Sequence, residues 1–203
     1  MDLTHLVDMI LARADHADRF ITAIAGPPAA GKSTLAARLA EAISERGEKA
    51  AIIPMDGFHY DDAVLAARSL SHRKGAPETF DFPGFRLLLQ RLREREPEVA
   101  IPLFDREMEL SRAGAAIVES DARILLVEGN YLLLDESPWN TLERLFDFSI
   151  YLDVPCPDLK RRLLERWNHH GRDAEAARHW VENNDLPNAR RVAKSRRKAD
   201  IVV

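Results

Sequence analysis

Apolar residues alternate along the chain between two patterns. Leu3, Leu6, Val7, Ile10 and Leu11 recur at helical spacing, so residues 3 to 11 predict a lead-in helix with one face to bury. "FITAIAG" is a short continuous apolar run closed by glycine, which predicts a buried strand. "STLAARLAEAISERG" returns to helical spacing and stops at Gly47, and "AAIIPMD" predicts a second buried strand. The same grammar recurs later: "RILLVEGNYLL", "FDFSIYLDV" and "ADIVV" predict strands, and "PDLKRRLLERW" predicts a helix with proline at its start. Strand segments that alternate with helices and are apolar throughout imply an α/β fold, a mostly parallel five-stranded sheet with helices on both faces.

Residues 57 to 120 break this rhythm. They hold a polar helix candidate over Asp61 to Ser69, the stretch "SHRKGAPETFDFPGF", a helix at "FRLLLQRLRERE", and two short apolar runs around "VAIPLF" and "AAIVE". An insertion at the carboxyl ends of parallel strands is where ligand-binding loops belong, so this segment is expected to be a substrate-binding insertion. The basic run "RRVAKSRRKAD" predicts the solvated face of a helix.

Composition narrows the range of partners. The 203 residues, 46% of them hydrophobic, can build one sizeable core, so a single domain over 1–203 is expected. A formal net charge of −4 gives no basic excess for broad nucleic-acid binding. Cys156 is the one cysteine, which excludes an internal disulfide and predicts a small buried hydrophobe. No apolar run approaches the length of a membrane helix, and the amino-terminal segment is interrupted by acids, so the chain reads as soluble and cytoplasmic.

Between the first strand and the following helix, "GPPAAGKS" fits G-x-x-x-x-G-K-[ST] from Gly26 to Ser33. Backbone N–H groups leaving a strand and entering a helix converge on a polyphosphate at the positive helix end. Pro27 and Pro28 cannot donate. The ATP-phosphate cradle is therefore expected from Ala29, Ala30, Gly31, Lys32, Ser33 and Thr34, with the Lys32 ammonium on the β/γ-phosphates and the Ser33 hydroxyl on Mg2+. Glu128, at the end of "ILLVEG", would add an acid beside the metal if its strand neighbours the P-loop strand.

Asp56 closes the strand after the P-loop helix. In a parallel sheet all carboxyl ends lie on one side, so Asp56 is expected to share a face with Lys32, Ser33 and Glu128. A carboxylate there can orient an attacking hydroxyl and accept its proton, which makes Asp56 and Lys32 the catalytic candidates. Gly57 is expected to admit a substrate close to the backbone, with Phe58, His59 and Tyr60 walling the pocket.

"GPPAAGKST", "MDGFH", "RKGAPETFD", "IPLFD" and "LLVEGNYLLL" occur in the order and at about the spacing of the family containing uridine kinase, phosphoribulokinase and bacterial pantothenate kinase. The likeness spans residues 20 to 203, and within the family the chain most resembles bacterial proteins labelled nucleoside/nucleotide kinase-like or fructose transport system kinase. The resemblance implies a P-loop NTPase-type three-layer sandwich, ATP and Mg2+ as cofactors, Asp56 as base and Glu128 by the magnesium. It also implies an arginine-bearing helical lid over 160–175. Arg162 and Arg172 match lid positions, Glu165 and His170 stand at two others, and Arg166 is displaced by one.

The resemblance further implies acceptor contacts within these stretches, and the candidates are His59, Lys74, Asp81, Arg106 and Tyr131. Gly75 stands where uridine kinases place a ribose-binding aspartate, and Arg106 stands where pantothenate kinase places a histidine. Both departures turn the expectation toward a sugar or sugar-like acceptor, a small hydroxylated metabolite, rather than a nucleoside or pantothenate. The reading includes no nucleic acid and no membrane, and it is compatible with a homodimer. A P-loop ATPase or GTPase acting as a switch is the alternative of another class; the chain has no N-K-x-D element, and a switch has no need of an acid beyond the second strand.

Overall fold

The computed structural model describes residues 2–203. Helix α1 (Leu3–Ala14) leads into β1 (Phe20–Ala25), the P-loop and α2 (Lys32–Glu45), then β2 (Ala50–Pro54). A 3-10 turn at Met55–Phe58 is followed by α3 (Asp62–Ala67), α4 (Phe82–Arg93), β3 (Glu98–Asp105) and β4 (Leu110–Glu119). The chain then returns through β5 (Ile124–Gly129), β6 (Phe148–Tyr151), α5 (Cys156–His169), α6 (Ala174–Trp180), α7 (Leu186–Lys194) and β7 (Ile201–Val202).

Five strands form one wholly parallel sheet in the order β2-β5-β1-β6-β7. The apolar character of β1 and β5 follows from cover on both faces, since every residue in both strands is buried. Alternate side chains of β1 enter separate cores. Ile21 and Ala23 join α4, Val99, Ile101 and Trp139 on one side, whereas Phe20 and Ile24 join α1, α2, α5 and α7 on the other. Each fully buried leucine or isoleucine in these layers contributes about 1.5–3 kcal/mol relative to exposure.

The runs "VAIPLF" and "AAIVE" pair as an antiparallel hairpin, β3 with β4, outside the main sheet. The hairpin buries Val99, Ile101 and Val118 in the same core as α4, so part of the 57–120 segment is built into the layer that covers the sheet.

Two expectations fail at the surface. Cys156 is exposed, because it opens α5 on the outside of the helical layer between exposed Pro155 and Pro157. The basic run is also no simple solvated face. Arg191 bridges Glu136 at 2.6 Å and Glu78 at 3.4 Å, Val192 is buried, and the Arg196 guanidinium lies 4.1 Å from the centroid of the Tyr151 ring.

Candidate active site

After β1 the chain crosses toward β2 on one side of the sheet, whereas after β5 and β6 it runs toward β7 on the other, so the connections diverge and open a crevice at the carboxyl end of β1. The P-loop occupies that crevice. Ala29 and Gly31 adopt φ of +62° and +100°, turning successive backbone groups inward, and Gly31 caps α2 in the left-handed conformation. Within the loop the Ala30 N–H closes a turn onto the Pro27 carbonyl at 3.2 Å. The first-turn N–H groups of α2, from Lys32 to Thr34, have no acceptor inside the helix by its geometry and complete the cradle.

Lys32 is only 8% exposed. Its ammonium donates to the Pro27 carbonyl at 2.9 Å and to Asn130 Oδ1 at 2.6 Å, which parks it over the loop. Burial lowers its pKa, while Glu128 and Asp56 pull the other way. The register Ile24↔Glu128 makes β5 the direct neighbour of the P-loop strand, and the Ser33 hydroxyl donates to Glu128 Oε1 at 3.0 Å. Burial, reinforced by the charge of Asp56, raises the Glu128 pKa.

β2 pairs with β5, with Pro54 beside Glu128, and so sets Asp56 two residues past the same sheet edge. The Asp56 carboxylate is ion-paired to Arg106 at the end of the β3 segment. Burial opposes its charge, but His59 when protonated, Arg106, Lys32 and Arg166 together hold the carboxyl below its usual range. His59 is pushed down by burial, and its Nδ1 lies 2.8 Å from the Asp56 carbonyl.

A cavity of about 650 Å³ opens beside these groups. One wall carries Asp56, His59, Lys74, Phe104, Arg106 and Glu109, and the facing wall carries Arg166, Trp167, His170, Arg172 and Trp180. Pro28 and Asn130 form the end nearest the P-loop. Lys74 pairs with Asp62 at 2.7 Å and with Glu109 at 3.5 Å. The Arg172 guanidinium sits 4.3 Å from the Trp167 ring and 4.6 Å from the Trp180 ring. The guanidinium is thus flanked by two rings on the cavity wall.

Several sequence candidates sit elsewhere. Asp81 lies outside the cavity lining and caps α4, accepting from the Gly84 N–H at 3.1 Å. Tyr131 is fully buried, lies outside the cavity lining and donates to the Gly75 carbonyl at 2.5 Å, so it supports the Lys74–Gly75 segment. Arg162 braces the P-loop from outside the cavity, near the carbonyls of Ala29 and Ala30 at 3.3 and 3.4 Å. Arg166 and Arg172 do face the cavity, whereas Glu165 pairs outward with Arg161.

Gly57 serves packing instead of substrate access: a Cβ there would collide with the Pro102 carbonyl of β3. Phe58 stacks edge-on against Phe85 in the core, and Tyr60 lies under Arg68, which leaves His59 as the pocket-facing member of the trio. Asn130, Trp167, Trp180 and Glu109 were missed. Asn130 adjoins the "EG" pair and could have been read from that position; the other three carry no local signal.

The geometry joins a phosphate cradle, a hard-oxygen pair and a carboxylate at one edge of a metabolite-sized cavity. A sequence model described as "Phosphoribulokinase / Uridine kinase family" matches residues 21–203. The chain belongs to this family. The kinase is similar over its whole length to a solved structure from Silicibacter sp. TM1040 described as a "putative fructose transport system kinase", with 45% identity, a TM-score of 0.95, and coverage of 100% of this chain and 99% of that one. A Schizosaccharomyces pombe protein named "Putative uridine kinase C227.14" is 37% identical over 93% of this chain and 84% of its own. A pantothenate kinase of Mycolicibacterium vanbaalenii is 30% identical over 87% of this chain and 58% of its own. Family and fold together make the chain a small-molecule P-loop kinase that uses a nucleotide. Among the described residues no helix is long and apolar enough to cross a membrane.

Proposed function

We propose that the kinase transfers the γ-phosphate of ATP to a hydroxyl of a small sugar-like metabolite, with Asp56 as the base. The observation that carries this reading is the position of Asp56 at the sheet edge shared with Lys32 and Glu128, on the wall of the cavity. The cradle Ala29 to Thr34 binds the phosphates, and Lys32 leaves Asn130 for the β/γ-oxygens when they arrive. Arg166 and Arg172 then neutralise charge on the transferring group and exclude water. Asp56 orients the acceptor hydroxyl in line and takes its proton once Arg106 has turned from it to the acceptor.

Ser33 and Glu128 fit Mg2+. They bring two hard oxygens together at 3.0 Å beside the cradle, and magnesium takes few protein ligands when phosphates and water supply the rest. When bound, the ion offsets negative charge on the phosphates.

A sugar-like acceptor is supported by what the wall offers: Asp62 and Glu109 accept from hydroxyls, Lys74 and Arg106 donate to them, and Phe104 presents an apolar ring face. The fructose named in the description of the Silicibacter structure agrees with it. The test is MgATP consumption with a panel of fructose and other sugars, nucleosides and pantothenate. Product formation dependent on a sugar is expected; turnover of a nucleoside or pantothenate alone reassigns the acceptor, and hydrolysis indifferent to every acceptor overturns the phosphotransferase reading in favour of a switch ATPase.

A further inference from the structure

Between α6 and α7 the chain makes a π-helical turn, Val181–Asp185. Such wide turns insert an extra residue into a helix, re-aim the side chains that follow, and concentrate at functional sites. Here the turn carries two consecutive buried polar residues that reach opposite walls of the cavity. Asn184 is 2% exposed. Its amide nitrogen donates to the Lys74 carbonyl at 2.8 Å, and its amide oxygen accepts from Asn188 at 3.4 Å and Arg73 at 3.5 Å. Asp185 accepts from the Trp167 indole at 2.6 Å.

The two contacts lead to different chemistry. Lys74 reaches Asp62 and Glu109 on the acceptor wall, and its neighbour Gly75 is held by Thr79 Oγ1 at 3.0 Å and by Tyr131. Trp167 follows Arg166 in α5 and carries Arg172 on its ring. A displacement of α5 toward the P-loop therefore pulls Asp185 and, through the backbone, Asn184, and the Lys74 segment cannot stay behind without losing the amide hydrogen bond from Asn184.

We propose that Asn184 is a positioning residue that makes the acceptor loop Arg73–Thr79 follow the lid when nucleotide draws Arg166 and Arg172 inward. The inference rests on the lid role given under the proposed function and adds a mechanical link from the nucleotide to the acceptor wall. It would hold the acceptor wall loose until nucleotide is in place.

Hydrogen exchange with and without the Mg2+ complex of a non-hydrolysable ATP analogue tests it without knowledge of the acceptor. In the wild type the analogue should protect the P-loop, α5 and the amides of Ala76 and Thr79 together, the loop amides exchanging about tenfold slower, the scale of one hydrogen bond. Asn184→Ala removes both the donor to Lys74 and the acceptor of Arg73; it should retain protection at the P-loop and α5 and lose it at the loop. Should that variant fail to fold, Asn184→Asp, which removes the donor to Lys74 but keeps an acceptor for Arg73, should lose part of the loop's protection. A loop response equal to wild type in either variant, or a wild-type loop that ignores the analogue while α5 responds, overturns the coupling. A wild type in which not even the P-loop responds overturns the nucleotide-driven reading on which it stands.

Discussion

On the P-loop side of the cavity, Lys32 and Ser33 in the first turn of α2 and Glu128 at the end of β5 come together, Lys32 held by Pro27 and Asn130 and Ser33 by Glu128. On the wall proposed for the acceptor, His59, Lys74, Arg106 and Glu109 come from three separate segments, Arg106 and Glu109 sharing the β3–β4 turn, and the charges of Lys74, Arg106 and Glu109 are already paired with Asp56, Asp62 or one another. The first half holds a buried cation that gains when an anion arrives. The second half must exchange internal ion pairs for ligand contacts, so it selects by replacement and gains little from bare attraction.

The sharpest way to break this contrast is Asp56→Asn, which removes the one acid that serves both halves. Transfer should fall by about 10²–10⁴-fold, the range of a lost general base, with MgATP binding nearly intact. A steady-state rate near wild type would leave the comparison without its centre.

Next in size is a paired experiment. Lys32→Ala should weaken MgATP binding by about 10- to 100-fold, from loss of a charge-assisted bond, and lower transfer with it. Arg106→Ala should leave nucleotide affinity unchanged and raise the acceptor KM by about tenfold. Calorimetric titration and initial rates with an active acceptor separate the two, and equal damage to nucleotide binding in both would mean that the halves are one electrostatic unit.

The smallest effect concerns the wall formed by α5 and the π-helical turn. Burial raises Asp185 to about 6, against the opposing Trp167 hydrogen bond and the charges of Arg166 and Arg172. The native state therefore holds this proton more tightly than the unfolded chain. Its contribution to stability is present below about pH 4, the unfolded value, and is lost as pH rises through 6. Asp185→Asn should remove this decline, on the order of 2 kcal/mol, and the difference in urea midpoint between variant and wild type should grow from pH 4 to pH 7. An unchanged difference would mean that the charge of Asp185 does not bear on the stability of this wall.

Much of the phosphate side could be read before folding was considered. "GPPAAGKS" between an apolar run and an amphipathic one located the loop, and the order of apolar runs placed Asp56 and Glu128 at strand ends on one edge. Even there, only the strand order β2-β5-β1 made Glu128 the neighbour of Ser33, and only the folded loop brought Asn130 onto Lys32. The acceptor side was read less well. Asp81 sat in the right stretch but turned to cap a helix, Tyr131 turned inward beneath Gly75, and Gly57 made room for a neighbouring backbone.

By itself, then, the sequence determined the sheet-and-helix alternation, the phosphate loop and the acid beyond the second strand, because each depends on residues a few positions apart whose spacing dictates backbone geometry. Tertiary structure alone decided which acceptor-side charges meet, that Trp167 and Trp180 flank Arg172, and that Asn184 reaches Lys74. Those contacts join residues as far apart as 74 and 184, and side-chain direction over such distances is set by how layers pack around two cores, which no local spacing encodes.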